Sequence, residues 1–362
     1  MSARHELHDR IPEIFRVEGT IPDFLRAARK SRIPKRPWKT GTAGSLFCGF
    51  RRCRHSTAAP DTGGVQGERM RIAITGATGF VGAAAARCAV ERGHALVRIL
   101  RPGSPHHGPA DVTADLADTD LLSEIAREVD TVIHCAASEN PAFLALSKAA
   151  SEALIRGLPK GGRFAMQGGS MVFGDTGYEP LASPQFRPPE LLEDRAEFER
   201  EILNAARADI STRIVYGSFI YGGEGAAIPA AIIHAAMERE AALFFGRGDQ
   251  VWSSAHVSDF GALLVDAVEH EMRENVCLFA AGRAIQMKPV ADILGQVLGV
   301  PSRPVCSEAE ARLFGPFAGA LTINQHFSSE TARERFRWCP EISDDGAAIV
   351  RGLTRQASRT ML

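Results

Sequence analysis

Arg71-Ile-Ala-Ile-Thr-Gly-Ala-Thr-Gly-Phe-Val-Gly82 is a short apolar β-run, a loop with glycines at 76, 79 and 82, and the start of an Ala-rich helix. That order serves one chemical purpose in particular, bringing backbone N–H groups against a dinucleotide pyrophosphate. Gly76 permits the tight turn out of the strand, and Gly79 lets the backbone approach the phosphates. Gly82 lets the helix pack closely on the sheet, so that its positive N-terminus faces the anion. Gly76, Ala77, Thr78, Gly79, Phe80, Val81 and Gly82 are therefore the expected cofactor-binding loop.

Outward from this loop the pattern alternates strand and helix, which predicts a parallel sheet covered on both faces. Strand one spans 71–75, helix one about 80–92, and strand two 95–100. Strand two ends in Arg101-Pro-Gly103 with no Asp or Glu beside it. An acidic residue there would bind the ribose 2′-hydroxyl of NAD, whereas a guanidinium matches a 2′-phosphate. Arg101 thus favours NADP over NAD, against the alternative of a solvent-exposed strand-end arginine. Asp115 and Leu116 are read as the end of the third strand, where the carboxylate reaches the adenine amino group. Residues 130–137 read as a fourth buried strand running into Ala136 and Ala137, small residues that leave room for the adenosine ribose and pyrophosphate. A helix over 141–158 and a fifth strand with a glycine-rich loop over 162–174 follow.

Gly76-Ala-Thr-Gly-Phe-Val-Gly82, Asp115-Leu116, His134-Cys-Ala-Ala137, Val172-Phe-Gly174, Tyr221-Gly222 and His256-Val-Ser-Asp259 come in the order and spacing of an extended short-chain dehydrogenase/reductase. More narrowly, the chain resembles the NAD-dependent epimerase/dehydratase-like group. Its closing Ser328-Ser-Glu-Thr-Ala-Arg-Glu-Arg-Phe-Arg-Trp-Cys-Pro340 is similar to that group's last helix and Leu-Gly-Trp-x-Pro signature. The resemblance covers roughly residues 70–345. It implies an α/β fold: a doubly wound parallel-sheet Rossmann domain with a smaller, mostly helical C-terminal substrate lid. On that reading 70–225 is the NAD(P)-binding domain, and 226–350 is the lid with segments returning to the core.

The resemblance also implies a catalytic Ser or Thr, a Tyr, and a Lys four residues after the Tyr, and here this chain departs from it. The Ser position falls on Gly169, with Ser170 one place later. The Tyr-x-x-x-Lys position reads Leu191-Leu-Glu-Asp-Arg195, and the tyrosines at 178, 216 and 221 have no Lys four residues on. Leu191 does no acid/base work. Arg195 can hold the nicotinamide-ribose hydroxyls, but its pKa is too high for proton transfer. The Arg-Pro-Gly that packs under the nicotinamide reads Tyr216-Gly-Ser218. Ser170 and Arg195 are the candidate residues at this end, with Tyr216 and Tyr178 as weaker substitutes. His256 is read as structural, and Asp259 as capping or bracing the following helix. Gly246-Arg-Gly-Asp249 and Trp252 either line the cleft or form an ordinary turn.

Composition bounds the rest. The 362 residues are 45% apolar and 23% charged, as in an ordinary globular protein, with a formal net charge of −1. That balance gives no general reason to expect nucleic acid or an anionic membrane as partner. No apolar run reaches the roughly 18 residues of a membrane span. Seven scattered cysteines without a Cys-x-x-Cys pair read as reduced thiols and a cytoplasmic setting, with no metal expected. Cys48, Cys53 and His55 lack a fourth ligand. Residues 1–69 carry 14 Lys/Arg against 7 Asp/Glu and little periodicity beyond a short amphipathic stretch at 11–30. They read as a basic, disordered extension. The expected partner is a small-molecule substrate, and a homodimer is common in the family. Two functions follow: an NAD(P)-dependent oxidoreductase or epimerase with an altered site, or a non-catalytic NADP(H)-binding redox sensor or scaffold.

Overall fold

The computed structural model describes residues 69–106, 108–138, 142–205, 209–222, 226–271, 274–342 and 349. The readings placed on residues 1–68, among them the basic extension and Cys48, Cys53 and His55, lie outside the described residues.

The chain runs β1 (Arg71–Thr75), α1 (Phe80–Glu91), β2 (Ala95–Leu100), β3 (Asp111–Thr113), α2 (Thr119–Arg127), β4 (Thr131–His134), α3 (Phe143–Gly157), β5 (Arg163–Gln167), α4 (Glu193–Asn204) and β6 (Ser211–Tyr216). It continues through β7 (Phe219–Tyr221), α5 (Ala227–Arg239), β8 (Ala242–Phe244), β9 (Val251–His256), α6 (Val257–Glu269) and β10 (Val276–Phe279). Then come β11 (Ala284–Gln286), α7 (Met287–Leu298), β12 (Ser302–Pro304), α8 (Glu308–Ala311) and α9 (Glu330–Phe336). Seven strands form one parallel sheet in the order β10-β6-β5-β4-β1-β2-β3. Both faces are covered, which is why β4 and β6 are buried at every position instead of alternating. Ile72 and Ile74 of β1 face a core shared with α1 and α6, while Ala73 faces one shared with α2, α3 and α4. After β3 the chain returns past β1 to build β4 on the opposite side. The strand order therefore reverses between β1 and β4, and a crevice opens at their C-terminal ends.

Several expected elements shift in detail. The fourth strand is shorter than 130–137, so Ala136 and Ala137 lie beyond it, and β3 ends two residues before Asp115. Leu191 is not on the helix of Arg195. It sits in a single 3-10 turn, Glu190–Leu192, set off by Pro189, and the helix starts at Glu193. The C-terminal part has its own apolar cluster, in which α5 and α7 pack with the parallel pair β8–β12 and Phe314. This part is largely helical, with the short apolar runs at 242–244 and 302–304 paired as strands within it.

The closing segment is fastened to α6. Trp338 Nε1 donates to the Asp259 carbonyl (2.9 Å), and the Asp259 carboxylate accepts from the N–H groups of Glu341 (3.0 Å) and Ile342 (3.2 Å). Asp259 braces the end of the domain, a longer-range role than capping its own helix. His256 does the capping, its Nδ1 accepting from Ser258 N–H at 3.2 Å. Among the described residues no helix is long and apolar enough to cross a membrane.

Candidate functional site

The glycine loop sits in the crevice between β1 and β4. Gly76 has φ +65°, and a Cβ there would lie 2.7 Å from Ala136 N and from the Cys135 carbonyl. A Cβ on Gly82 would lie 2.1 Å from the Gly76 carbonyl oxygen. The loop closes on itself through Gly79 N–H to Gly76 O at 2.9 Å. Gly76 and Gly82 are needed because strand end, loop and helix start come together within one side chain's thickness. Ala77, Val81 and Gly82 are buried, Phe80 is half-buried, and Thr78 and Gly79 are exposed at the mouth.

Beneath the loop runs a polar chain that sequence reasoning did not foresee. Thr75 Oγ1 meets His134 Nδ1 at 2.9 Å and accepts from Ala136 N–H at 3.3 Å, and His134 Nε2 meets Ser147 Oγ at 3.0 Å. It ties β1, β4 and α3 together at the crevice floor. Burial lowers the His134 pKa from 6.5 to about 4, and the Arg195 charge adds to the effect. This imidazole is therefore neutral and structural.

Arg101 follows β2, exposed, and its guanidinium forms no hydrogen bond among the described residues. Asp115 is exposed just past β3, with Oδ1 accepting from Ala117 N–H at 2.9 Å, and Leu116 is half-buried. Ala136 is half-buried and Ala137 exposed. A cradle that a Cβ would fill, an open guanidinium at the second strand and small residues at the fourth are a donor set suited to the adenosine and pyrophosphate of a dinucleotide.

The opposite end lies past β5 and β6. Gly169 N–H donates to Glu199 Oε1 (2.9 Å), and the same oxygen accepts from Arg195 Nε (2.6 Å). Arg195 Nη2 is 3.4 Å from the Gln167 carbonyl. Ser170 opens a 3-10 turn, Ser170–Phe173, and its hydroxyl forms no hydrogen bond among the described residues. Leu191 is 60% exposed.

Tyr216 packs behind this end as a core residue. It is fully buried against Phe173 and Phe279, and burial, with Glu199 nearby, raises its pKa well above the ordinary value, so it stays neutral. Its ring occupies the space a Gly168 side chain would take, 2.2 Å from a Cβ there. Tyr178 is exposed and bonds Asp249 (3.3 Å), which also pairs with Arg247, so 246–249 is a surface turn. Trp252 belongs to the core, with Nε1 on the Ile323 carbonyl, and does not line a cleft. Glu199 is the residue of this end that sequence reasoning passed over. Its signal was an acid one turn beyond Arg195, flanked by Phe198 and Ile202.

Residues 72–151, the segment holding the glycine loop and β4, match the model of the NAD dependent epimerase/dehydratase family. The match to that family covers this nucleotide-binding segment. It is 25% identical over 290 residues to the uncharacterized protein C2A9.02 of Schizosaccharomyces pombe, across 75% of this chain and 95% of that protein. Among solved structures it is similar to PA4631, a nucleoside-diphosphate-sugar epimerase from Pseudomonas aeruginosa (19% identity, TM-score 0.62, 80% of this chain and 98% of that one). It is also similar to the Bordetella bronchiseptica enzyme WbmG, solved with NAD and UDP (16% identity, TM-score 0.63, 82% and 96%). At those identities the likeness establishes the fold.

Proposed function

We propose that this protein binds NADP(H) in the β1/β4 crevice and acts as an oxidoreductase or epimerase on a small, less charged carbonyl or hydroxyl compound, through an altered nicotinamide end. The observation that carries the reading is the glycine loop closed against the end of β4, with the Arg101 guanidinium, which forms no hydrogen bond among the described residues, at the end of the neighbouring strand β2. In this reading the helix α1 N-terminus and the loop amides hold the pyrophosphate, and Arg101 the 2′-phosphate. Asp115 and Leu116 meet the adenine, Ala136 and Ala137 leave room for the ribose, and Arg195 meets the nicotinamide ribose. A bound nicotinamide supplies hydride transfer. Ser170 hydrogen-bonds and orients the substrate oxygen. A serine hydroxyl and a guanidinium are not general acid/base groups, so in this reading the proton goes to and from water.

A small, less charged substrate is supported by four basic residues of the C-terminal part. Arg247, Lys288, Arg303 and Arg312 are each paired with an acid, at Asp249, Asp292, Glu310 and Glu308. An unpaired guanidinium or ammonium is one common way to hold a diphosphate, and these four are already engaged.

The test is a fluorescence titration of the full chain with NADPH and NADH, followed by a panel of small carbonyl and hydroxyl compounds. Arg101→Ala should weaken NADPH by roughly 1–3 kcal/mol, the scale of a charge-assisted hydrogen bond, and leave NADH unchanged. Equal affinity of wild type and variant for NADPH refutes the NADP assignment. A second reading, a redox sensor that binds the dinucleotide without turnover, is favoured by the exposed Leu191 where a catalytic tyrosine would stand. Tight binding with no turnover across the panel selects it.

A further inference from the structure

We infer that Glu199 is a positioning residue of the nicotinamide end, orienting Arg195 toward the dinucleotide ribose. The inference rests on the reading that Arg195 makes that contact. Glu199 is 0% exposed, and a buried carboxylate is unfavourable unless paired and hydrogen-bonded. Its pairing is asymmetric. Oε1 takes both Arg195 Nε (2.6 Å) and Gly169 N–H (2.9 Å), while Oε2 finds no hydrogen-bond partner among the described residues. One oxygen thus fastens helix α4 to the loop after β5.

The consequence for Arg195 is geometric. A lysine at this place would present a point charge on a flexible stem, whereas a guanidinium is a rigid fork. With Nε held by Glu199, the plane of the guanidinium is fixed. Nη2 lies near the Gln167 carbonyl at a long 3.4 Å, and Nη1 makes no hydrogen bond among the described residues. The Arg195 side chain is 28% exposed against 0% for Glu199, so the pair runs from the core outward to the end of β5. Gly169, at the place of the family's serine, has room for the fork: a Cβ there would stand 3.8 Å from Glu199 Oε1 and 4.0 Å from Arg195 Nε. An i,i+4 pair that only supported its helix would have no need of the Gly169 amide or of complete burial.

A double-mutant cycle on the full chain tests this, with NADPH affinity read by fluorescence and folding by thermal melts. Glu199→Leu and Arg195→Met should each weaken NADPH about tenfold, and the double variant should be no weaker than Arg195→Met, the signature of coupled residues. Glu199→Gln, which keeps the acceptor and loses the charge, should recover part of the loss. If Glu199→Leu fails to fold, Glu199→Gln carries the cycle, weakening NADPH only when Arg195 is present. Unchanged affinity in the Glu199 variants, or equal weakening with and without Arg195, overturns the inference and leaves a structural carboxylate. No effect of Arg195→Met on affinity removes the ribose contact itself, and the inference with it.

Discussion

At the scale of single residues, the outcome was decided by the space around each backbone position. Gly82→Ala would place a methyl 2.1 Å from the Gly76 carbonyl oxygen. The variant should be destabilised by roughly 1–3 kcal/mol in urea unfolding and should lose dinucleotide affinity, since the loop must open to accept the methyl. Gly169→Ser is the contrasting case. The position has an extended backbone, with φ −98°, and its nearest atoms are at ordinary contact distance. Its stability should stay within about 1 kcal/mol of wild type, and a larger drop would mean that the Gly169 amide contact with Glu199 tolerates no side chain. The glycines were legible in the sequence because a strand before and a helix after leave them one use. Glu199 was not, because α4 also carries Glu193, Asp194, Glu197 and Glu201, and a sequence does not mark which acid of a charged helix turns inward. Tyr216 was legible as a strand-end tyrosine, whose usual place is core packing, although the aromatic cluster that holds it comes from distant segments.

At the scale of elements, the crevice depends on how strand ends are joined. The Thr75–His134–Ser147 chain links β1, β4 and α3 through a neutral imidazole. The folded pKa, about 4, lies below the ordinary 6.5, so between these values the unfolded chain binds the proton and the native state does not. The linkage slope is positive there: stability from this group is intact above about 6.5 and is lost as pH falls toward 4. The gap between the melting curves of wild type and His134→Gln should therefore change over that window. Curves that stay parallel from neutral pH to pH about 4 would contradict a buried neutral histidine. Strand boundaries at β1 and β2 were readable from short apolar runs bounded by glycines. The start of α4 was not, since Pro188 and Pro189 interrupt the chain and the 3-10 turn that carries Leu191 has no periodicity of its own.

At the scale of the molecule, the two parts are joined by segments that leave no pattern in the sequence. Residues 324–328 run between β9 and the loop after Ser170. Gln325 N–H donates to the Val251 carbonyl (2.8 Å), Gln325 Nε2 to the Gly174 carbonyl (2.6 Å), and Leu181 bridges to Phe327. Gln325→Leu should lower stability by roughly 1–3 kcal/mol, the scale of leaving a buried carbonyl unpaired. Dinucleotide affinity should be unchanged, because the strap lies on the Ser170 side. A loss of affinity would show that the strap shapes the crevice itself. The parallel sheet and its crevice were legible from alternating strand and helix, whereas the strap and the β8–β12 pair rest on contacts between distant stretches. The most direct measurement is a fluorescence titration of the full chain with NADPH, beside Gly76→Val, which puts a branched side chain at φ +65° against β4. Saturable binding with Kd below roughly 1 mM in the wild type, abolished in the variant, is the predicted result. Absence of binding in the wild type, or equal binding by both proteins, would contradict a dinucleotide pocket at the glycine loop.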